Sequence, residues 1–230
     1  MKYDIYNLVI ELGRQCNLNC PHCLRGKSQD VKINTKYIDD ILDKTEHITD
    51  LTLTGGEPFL YPDIIRHIVN KIKANNISID CFYIATNGLV KNYDILHDII
   101  DLYDIAYEKE LCGLKISRDQ YHDNNNYWNA LDAFKFTMSN SYDLEEKYLI
   151  KQGNAVLNYA DATRYASDNI PEIEYHENTC YITEGLIYLN ANGDILTGCD
   201  YSYENQEYNS HGNLDDKDFD DIITGLADDI

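Results

Sequence analysis

The sequence has little positive charge. Its 230 residues include 19 Lys and Arg but 40 Asp and Glu, a formal net charge of −21. Such a surface repels the phosphate backbone, so nucleic acid is an unlikely partner, and a cationic peptide or basic protein is favoured. Solubility alone is the alternative explanation. Much of the acid belongs to one expected solvated helix near the end: Asp215, Asp216, Asp218, Asp220, Asp221, Asp228 and Asp229.

The sequence also lacks long apolar segments. The absence of about 18 uninterrupted apolar residues argues against a membrane span. Residues 1–6 contain no basic segment followed by an apolar run, so we expect no signal peptide. The cysteines number seven, an odd and unevenly spaced set that does not fit a disulfide framework. We therefore expect a cytoplasmic protein, because thiols stay reduced in that compartment.

Three of these cysteines lie close together, because Cys16, Cys20 and Cys23 follow one another at spacings of four and then three. Three thiolates favour a soft metal or an iron–sulfur cluster. At a centre with four ligand positions they leave one position open, which is typical of catalytic sites. The alternatives are a zinc site completed by His22 or a distant residue, and three ordinary buried thiols.

Strands and helices alternate through residues 1–176. The apolar runs predict strands over 5–12, 50–54, 77–85, 111–116, 148–152 and 170–175. Helical spacing predicts helices over 35–48, 127–138 and 158–167, with two others beginning at Pro62 and after Asn92. This alternation indicates βαβ units and a parallel sheet. The five or six units are too few for a closed barrel, so we predict a partial, open (β/α)6-type TIM-like barrel, with a doubly wound sheet as the alternative.

Residues 177–230 show a different pattern. Two short strands flank Asn192-Gly193, a dipeptide typical of hairpin turns, and a helix with an apolar stripe follows. We predict a second region made of a β-hairpin and a helix, packed against the barrel.

Glycine and polar motifs follow the predicted strands, at the edge where barrels and open α/β sheets place their active sites. These motifs comprise Gly55, Gly56, Glu57 and Pro58, then Thr86, Asn87 and Gly88, then Ser117 and Asp119, and last Gly153 and Ala155.

The ordered motifs resemble the radical S-adenosylmethionine (SAM) enzyme superfamily over residues 5 to about 160. The spacing C-x-x-x-C-x-x-C matches that family's cluster loop, and residues 55–58 match its GGEP motif. The resemblance implies that Cys16, Cys20 and Cys23 bind three irons of a [4Fe–4S] cluster, while the fourth iron chelates SAM. His22 is not expected to be a ligand. Gly55, Gly56, Glu57 and Pro58 are expected to approach the methionine end of SAM, with Glu57 or nearby carbonyls accepting from its ammonium group.

The later motifs imply further SAM contacts. Thr86 and Asn87 resemble the family's polar end of strand three. Ser117 and Asp119 resemble the strand-four end that contacts the ribose and methionine portions, although a capped turn is the alternative. Gly153 and Ala155 resemble a stretch beside the adenine.

The chemistry that the resemblance implies is reductive cleavage of SAM to methionine and a 5′-deoxyadenosyl radical, which abstracts hydrogen from a substrate. We expect a peptide or small protein as the substrate and a flavodoxin- or ferredoxin-type electron donor. A small metabolite or nucleotide is the alternative substrate, and a non-catalytic zinc or iron–sulfur module is the alternative class. Arg14, Arg25 and Lys27 form a basic patch that would dock a partner or tune the charge of the site.

The four other cysteines divide into two pairs. Cys81 and Cys112 lie near the starts of strands and are expected to be buried structural thiols. Cys180 and Cys199 flank the hairpin in a way that resembles a SPASM or twitch extension. They are too few for the ligands of an auxiliary cluster, so we expect a degenerate extension, which still suggests a peptide substrate.

Overall fold

The computed structural model describes residues 1–122, 127–139 and 145–228. Its centre is one sheet in which the first five strands lie side by side and parallel, in chain order. These strands are β1 (Lys2–Glu11), β2 (Thr45–Thr54), β3 (Ser78–Thr86), β4 (Gly113–Ile116) and β5 (Thr137–Ser139). The helices that connect the first four are α1 (Thr35–Leu42), α2 (Pro62–Asn75) and α3 (Tyr93–Ile105).

The helix signals of the sequence act as expected. The side chains of Asn34 and Asn92 each accept a backbone N–H at 3.0 Å, and so cap α1 and α3. Pro62 is the first residue of α2, where its missing N–H does no harm. The predicted apolar stripe of α2 is fully buried: Ile64, Ile65, Ile68, Val69 and Ile72.

The predicted helix over 35–48 is too long. Helix α1 ends at Leu42, and the next strand already begins at Thr45, which pairs with Tyr3 of β1. Ile48 fits the helical spacing, but it is buried as a strand residue. The extra pairing with β1 satisfies backbone groups along the full length of β2, and this long-range contact is invisible in the local pattern.

The predicted helix over 127–138 is wrong. This segment contains a 3-10 turn at Asn129–Ala133 and then the short strand β5, which pairs with β4. Phe136 packs against Phe82 of β3 and Tyr103 of α3, with ring centroids 5.6 and 4.6 Å apart. Aromatic packing onto the sheet therefore overrides the local helical spacing.

The predicted fifth strand over 148–152 is wrong as well. Glu146–Tyr148 is a 3-10 turn, and only Ile150 makes an isolated bridge, to Arg164. A short helix, α4 (Gly153–Asn158), begins directly after it, and the predicted helix over 158–167 is not formed. An apolar run this short does not distinguish a strand from a buried turn.

The C-terminal segment adds to the opposite side of β1. Its strands are β6 (Glu172–His176), β7 (Thr179–Thr183), β8 (Ile187–Leu189), β9 (Asp194–Leu196) and β10 (Gly212–Asn213). Its helices are α5 (Tyr203–Gln206) and α6 (Phe219–Asp228). β7 pairs with the first half of β1 and β8 with the second half, both parallel. The predicted sixth strand therefore corresponds to β6, but it pairs antiparallel with β7 and lies outside the parallel row.

The predicted hairpin is confirmed as β8 and β9, which are antiparallel and turn at Gly193 with φ +89°. The apolar stripe of α6 is buried at Phe219, Ile222, Ile223 and Leu226. Asp229 of the acidic run lies outside the described residues.

The sheet is open, because the path through the described strands runs from β10 to β5 without closing. The predicted partial α/β barrel with a hairpin and helix extension is therefore confirmed. The division into 1–176 and 177–230 stays a prediction. Strands β7 and β8 of the second region each pair with β1. None of the helices in the described ranges has the length and apolarity needed to cross a membrane.

Candidate metal centre

The cysteine loop begins where β1 ends, at the carboxyl edge of the sheet. Cys16, Cys20 and Cys23 are free thiols of intermediate exposure. The loop is folded by its own hydrogen bonds: the Cys23 N–H donates to the Cys20 carbonyl at 3.2 Å, and the Cys16 N–H donates to the Ser28 hydroxyl at 2.9 Å. The same cavity that contains the three cysteines is lined by Gly55 and Gly56.

The thiols of this loop disfavour each other's charge. Burial raises the pKa of Cys20, and with the neighbouring Cys23 and Cys16 acting in the same direction the pKa reaches about 12. Burial likewise raises the pKa of Cys16. Without a metal these groups are neutral thiols, and a coordinated metal would deprotonate them outright. The donor set therefore fits a bound metal group.

The spacing of these thiols disfavours the zinc alternative. Zn–S bonds of about 2.3 Å bring two sulfur ligands of one tetrahedral ion to within roughly 4 Å of each other. Within the described ranges, the group of three metal-ligating side chains whose ligand atoms all lie within 4.8 Å is His22, Asp119 and His122, not the cysteines. A cluster that distributes its cysteines over several irons suits the wider spacing better.

The glycines of the second motif allow two backbones to touch. The Gly56 N–H donates to the Gly13 carbonyl and the Glu57 N–H to the Gln15 carbonyl, each at 2.9 Å. A Cβ atom on Gly56 would lie 2.3 Å from the Gln15 carbonyl oxygen. The glycines thus hold the GGEP turn against the start of the cysteine loop, a contact that the sequence interpretation did not include.

Glu57 lies beneath this turn, with 1% of its surface exposed. One carboxylate oxygen accepts from the Thr86 hydroxyl at 2.6 Å and the Phe59 N–H at 3.0 Å, and the other accepts from the Asn87 N–H at 2.8 Å. Burial raises the pKa of Glu57 above its ordinary value despite these bonds. Glu57 therefore joins the ends of β2 and β3, and of the two predicted acceptors for SAM this favours the nearby carbonyls.

Asn87 connects this network to the cysteines. Its side-chain nitrogen lies 3.9 Å from the sulfur of Cys16 and donates to the side-chain oxygen of Asn17 at 2.8 Å. Thr86, by contrast, is 2% exposed and acts within the network. Of this predicted pair, Asn87 is the one that reaches the cysteine loop.

The end of β4 brings Asp119 beside His22 of the cysteine loop. One oxygen of Asp119 accepts the Tyr121 N–H at 3.0 Å and lies 2.7 Å from the Nδ1 atom of His122. The ring of His22 lies between Tyr121 and His122, with centroids 4.6 and 5.0 Å away. Burial lowers the pKa of His22 to about 4, so its ring is neutral at physiological pH. His122, which the sequence motifs did not indicate, is a third member of this group.

Ser117 helps to hold the end of β4 beside the end of β3, because its N–H donates to the Thr86 carbonyl at 3.0 Å.

The motif at residues 153–155 contacts the cysteine loop directly. The Asn154 N–H donates to the Cys23 carbonyl at 2.9 Å, and its side chain donates to the Cys20 carbonyl at 3.0 Å. Gly153 has φ +52°, and a Cβ there would lie 2.4 Å from the Leu24 carbonyl oxygen. This segment, including the buried Ala155, therefore fixes the loop from outside.

Of the two predicted roles of the basic patch, a docking surface is not formed, whereas Arg14 and Arg25 line the cavity of the three cysteines, where they could tune its charge. Arg14 is 4% exposed and its Nε atom lies 2.8 Å from the carboxylate of Glu11, which is fully buried. Arg25 is half-buried and donates to the Tyr201 carbonyl at 2.6 Å. Only Lys27 of the three is exposed. Two of these cations therefore stabilise the interior beside the loop. This role could not be predicted, because their partners Glu11 and Tyr201 are not motif residues.

The four remaining cysteines lie outside the cysteine loop and do not line its cavity. Cys81 and Cys112 are 6% and 4% exposed, as predicted for structural thiols. Cys180 lies in β7 beside Tyr3, and Cys199 follows β9. Neither belongs to a group of three close metal-ligating side chains in the part of the chain that the structure describes.

Comparison with known proteins agrees with this centre. Residues 9–118 match the family model of the 4Fe-4S single cluster domain. Mycofactocin maturase MftC of Mycobacterium ulcerans (strain Agy99) is 32% identical over 92 residues, which are 38% of this chain and 24% of that protein. The probable GTP 3′,8-cyclase of Pyrococcus abyssi (strain GE5 / Orsay) is 28% identical over 152 residues, 63% of this chain and 42% of that protein. The chain thus spans less than half the length of either relative.

Among solved structures, SuiB of Streptococcus suis bound to precursor peptide SuiA is similar, with a TM-score of 0.49 and 13% identity over 95% of this chain and 64% of that chain. The open α/β sheet and its three-cysteine loop define an iron–sulfur cluster protein. The match over residues 9–118 agrees with the cluster loop that the motifs predict, and the motifs themselves resemble those of the radical SAM superfamily.

Proposed function

We propose that Cys16, Cys20 and Cys23 hold a [4Fe–4S] cluster whose fourth iron is open to SAM. The observation that carries this proposal is the grouping of three partly exposed thiols in one cavity with Gly55 and Gly56. Within the described ranges the three sulfur atoms do not all lie within 4.8 Å of one another, which suits a cluster that distributes its cysteines over several irons.

The rest of the carboxyl edge would bind SAM. The carbonyls of the turn at residues 55–58 would accept from its ammonium group, and Asn87 would hold the loop close through Cys16. Ser117 and Asp119 would face its ribose and methionine portions, while Gly153 and Ala155 keep the loop in place. When bound, the cluster supplies one electron to the SAM sulfonium, which yields methionine and a 5′-deoxyadenosyl radical that takes a hydrogen atom from the substrate.

The residues of this chain prepare that chemistry. Glu57 and Thr86 fix the ends of β2 and β3 beneath the site, and the buried Arg14 fixes the start of the loop. Because the cysteines are only half-buried, access remains for SAM and a substrate. A positioned site that restricts water protects a reactive intermediate from side reactions.

The substrate we propose is a peptide or small protein. A cavity of about 460 Å³ opens beside the cysteine loop between Gly26 and Asn154, next to the C-terminal segment. The net charge of −21 favours a cationic peptide, and one relative is named a maturase. A nucleotide is the second candidate, since another relative is named a GTP 3′,8-cyclase. We further propose a flavodoxin- or ferredoxin-type electron donor and a cytoplasmic location, which suits seven free thiols.

The test is anaerobic reconstitution with iron and sulfide, followed by iron counting and SAM cleavage with dithionite. About four irons and formation of 5′-deoxyadenosine are expected in the wild type. The variant Cys16→Ala/Cys20→Ala/Cys23→Ala is expected to lose both, and Cys180→Ala/Cys199→Ala is the matched control that retains both. Iron surviving in the triple variant, or zinc in place of iron, contradicts the proposal.

A further inference from the structure

Tyr203 of α5 has a buried hydroxyl group without a partner. The residue is 5% exposed, and its hydroxyl is one of three buried side-chain polar atoms in the described residues that make no hydrogen bond. Buried hydroxyl groups are almost always bonded, because an unpaired one loses its water without compensation. An unpaired group in an otherwise well-bonded region therefore points to a ligand.

The side chain of Tyr203 is held rigidly. The guanidinium of Arg14 lies 4.7 Å from the centre of its ring, and its backbone N–H donates to the Arg25 carbonyl at 3.1 Å. Arg14 is itself fixed by Glu11 at 2.8 Å and by Gln206 at 2.5 Å. These contacts fix the backbone of Tyr203 and one face of its ring.

Tyr203 lines the cavity that contains Cys16, Cys20 and Cys23, and it is the one lining residue from the C-terminal segment among the described residues there. A tyrosine phenol has an ordinary pKa near 10, so the Tyr203 hydroxyl is protonated at neutral pH and offers a hydrogen to an acceptor. In this cavity the acceptors include the side-chain oxygens of Asn19 and Ser28 and the sulfur atoms of Cys16, Cys20 and Cys23, and a bound cluster would add its own sulfur atoms.

We propose that the Tyr203 hydroxyl donates a hydrogen bond to a sulfur ligand of the cluster, so that the C-terminal segment helps to set its reduction potential. Hydrogen bonds to sulfur stabilise the more negative, reduced cluster and raise its potential. This inference rests on the proposed function, because it needs the cluster at Cys16, Cys20 and Cys23. The C-terminal segment would then act on the cluster through Tyr203, without contributing a cysteine ligand.

The test is a redox titration of the reconstituted protein, followed by electron paramagnetic resonance, for the wild type and Tyr203→Phe without SAM. The variant keeps the ring and loses only the hydroxyl. We expect a more negative midpoint potential, equivalent to about a tenfold lower ratio of reduced to oxidised cluster at a fixed potential, or about 59 mV for one electron. The matched control is Tyr201→Phe, whose hydroxyl bonds to Asp168 at 3.0 Å, and its potential is expected to equal that of the wild type.

The iron count separates the two proposals. A wild type without a four-iron cluster contradicts the proposed function itself. Full iron in both proteins with equal potentials overturns only the role of Tyr203. A difference that appears only after SAM is added also overturns it, because the hydroxyl would then serve SAM and not the cluster.

Discussion

Two buried glutamates flank the cysteine loop and are stabilised in opposite ways. Glu11 ends β1 and pairs with the Arg14 guanidinium, whereas Glu57 follows β2 and accepts hydrogen bonds from neutral groups. Burial would raise both pKa values. Arg25 and Arg14 reverse this effect for Glu11, whose pKa is lowered, while that of Glu57 stays raised.

The partners of the two glutamates also come from different parts of the chain. Glu57 is held by residues 59, 86 and 87, which belong to the parallel strands and their motifs. Glu11 accepts from Tyr188 at 2.7 Å and Gln206 at 2.9 Å, both in the C-terminal segment. The charged pair therefore connects the start of the cysteine loop to the last third of the protein, and the neutral network connects two strands.

The largest expected effect comes from removing Glu11. Glu11→Ala leaves the Arg14 charge buried without its carboxylate, and we expect a loss of about 3–5 kcal/mol of unfolding free energy. The matched change Glu57→Ala removes a carboxylate that has no cationic partner, and we expect a loss of only about 1–3 kcal/mol. Urea unfolding of both variants measures the difference, and equal losses would contradict the distinction between charged and neutral stabilisation.

A smaller loss of unfolding free energy is expected when a substitution at Gly56 pushes the GGEP turn away from the cysteine loop. Gly56→Ala would place a methyl group 2.3 Å from the Gln15 carbonyl oxygen, and we expect a loss of about 1–3 kcal/mol from overpacking. The variant should also bind less iron, because the Glu57 network and the loop can no longer stay in register. Thermal unfolding and iron counting measure these two effects.

Gly225→Ala is the control for that variant. Its added methyl group meets no atom within 4 Å, and alanine is favoured over glycine inside a helix such as α6 by about 1 kcal/mol. We therefore expect a slightly more stable protein with unchanged iron content. Comparable destabilisation of both variants would show that a methyl group at the turn has no special cost.

The two glutamates should give opposite pH dependences in the apoprotein. Since folding lowers the pKa of Glu11, its contribution to stability is present above the ordinary value of 4.5 and is lost as pH falls through the lowered value. Since folding raises the pKa of Glu57, its contribution declines as pH rises from 4.5 through the raised value. Each unit of pKa shift corresponds to about 1.4 kcal/mol.

Unfolding free energies of the wild type, Glu11→Gln and Glu57→Gln between pH 3 and pH 7 measure these slopes. The difference between wild type and Glu11→Gln should grow as pH rises, whereas that between wild type and Glu57→Gln should shrink. Slopes of the same sign would mean that the Arg14 and Arg25 charges do not govern Glu11.

The contrast between the two networks also explains what the sequence could predict. The neutral network and the cysteine loop lie in residues 1–122, where caps such as Asn34 and Asn92 and the periodic stripe of α2 fix each element locally. Thr86 and Asn87 could be predicted because motif residues at the ends of neighbouring parallel strands must meet. Their partnership with Glu57, in contrast, depends on burial and could not be read from spacing.

The charged network could not be predicted in the same way. Glu11 is an ordinary strand residue in the sequence, and its partners Gln206 and Tyr188 are about 180 to 195 positions away, so no local pattern joins them. The short strands β5 and β7 could not be predicted from local patterns either, because β5 depends on its pairing with β4 and β7 on its pairing with β1. The helix over 127–138 was wrongly predicted for this reason, because β5 forms through its pairing with β4.

The smallest effect is expected for single donors to the two glutamates. Tyr188→Phe removes one hydroxyl donor from Glu11, which keeps Arg14, Gln206 and the Ala191 N–H. We expect a loss of about 1 kcal/mol, near the typical value for one hydrogen bond. The counterpart is Thr86→Val, which removes from Glu57 one of three donors and also leaves the Gly88 N–H without its acceptor.

That second loss should be larger, at about 2 kcal/mol, because a buried carboxylate without a cation depends more on each remaining donor. Urea unfolding at neutral pH compares the two variants, and Thr52→Val, which removes only a 3.4 Å contact with Asp50, is the control for the change from threonine to valine. If Tyr188→Phe were the more damaging variant, the Arg14 charge would not be compensating for lost donors. The stability of Glu11 would then depend on the hydroxyl of the C-terminal segment more than on the ion pair.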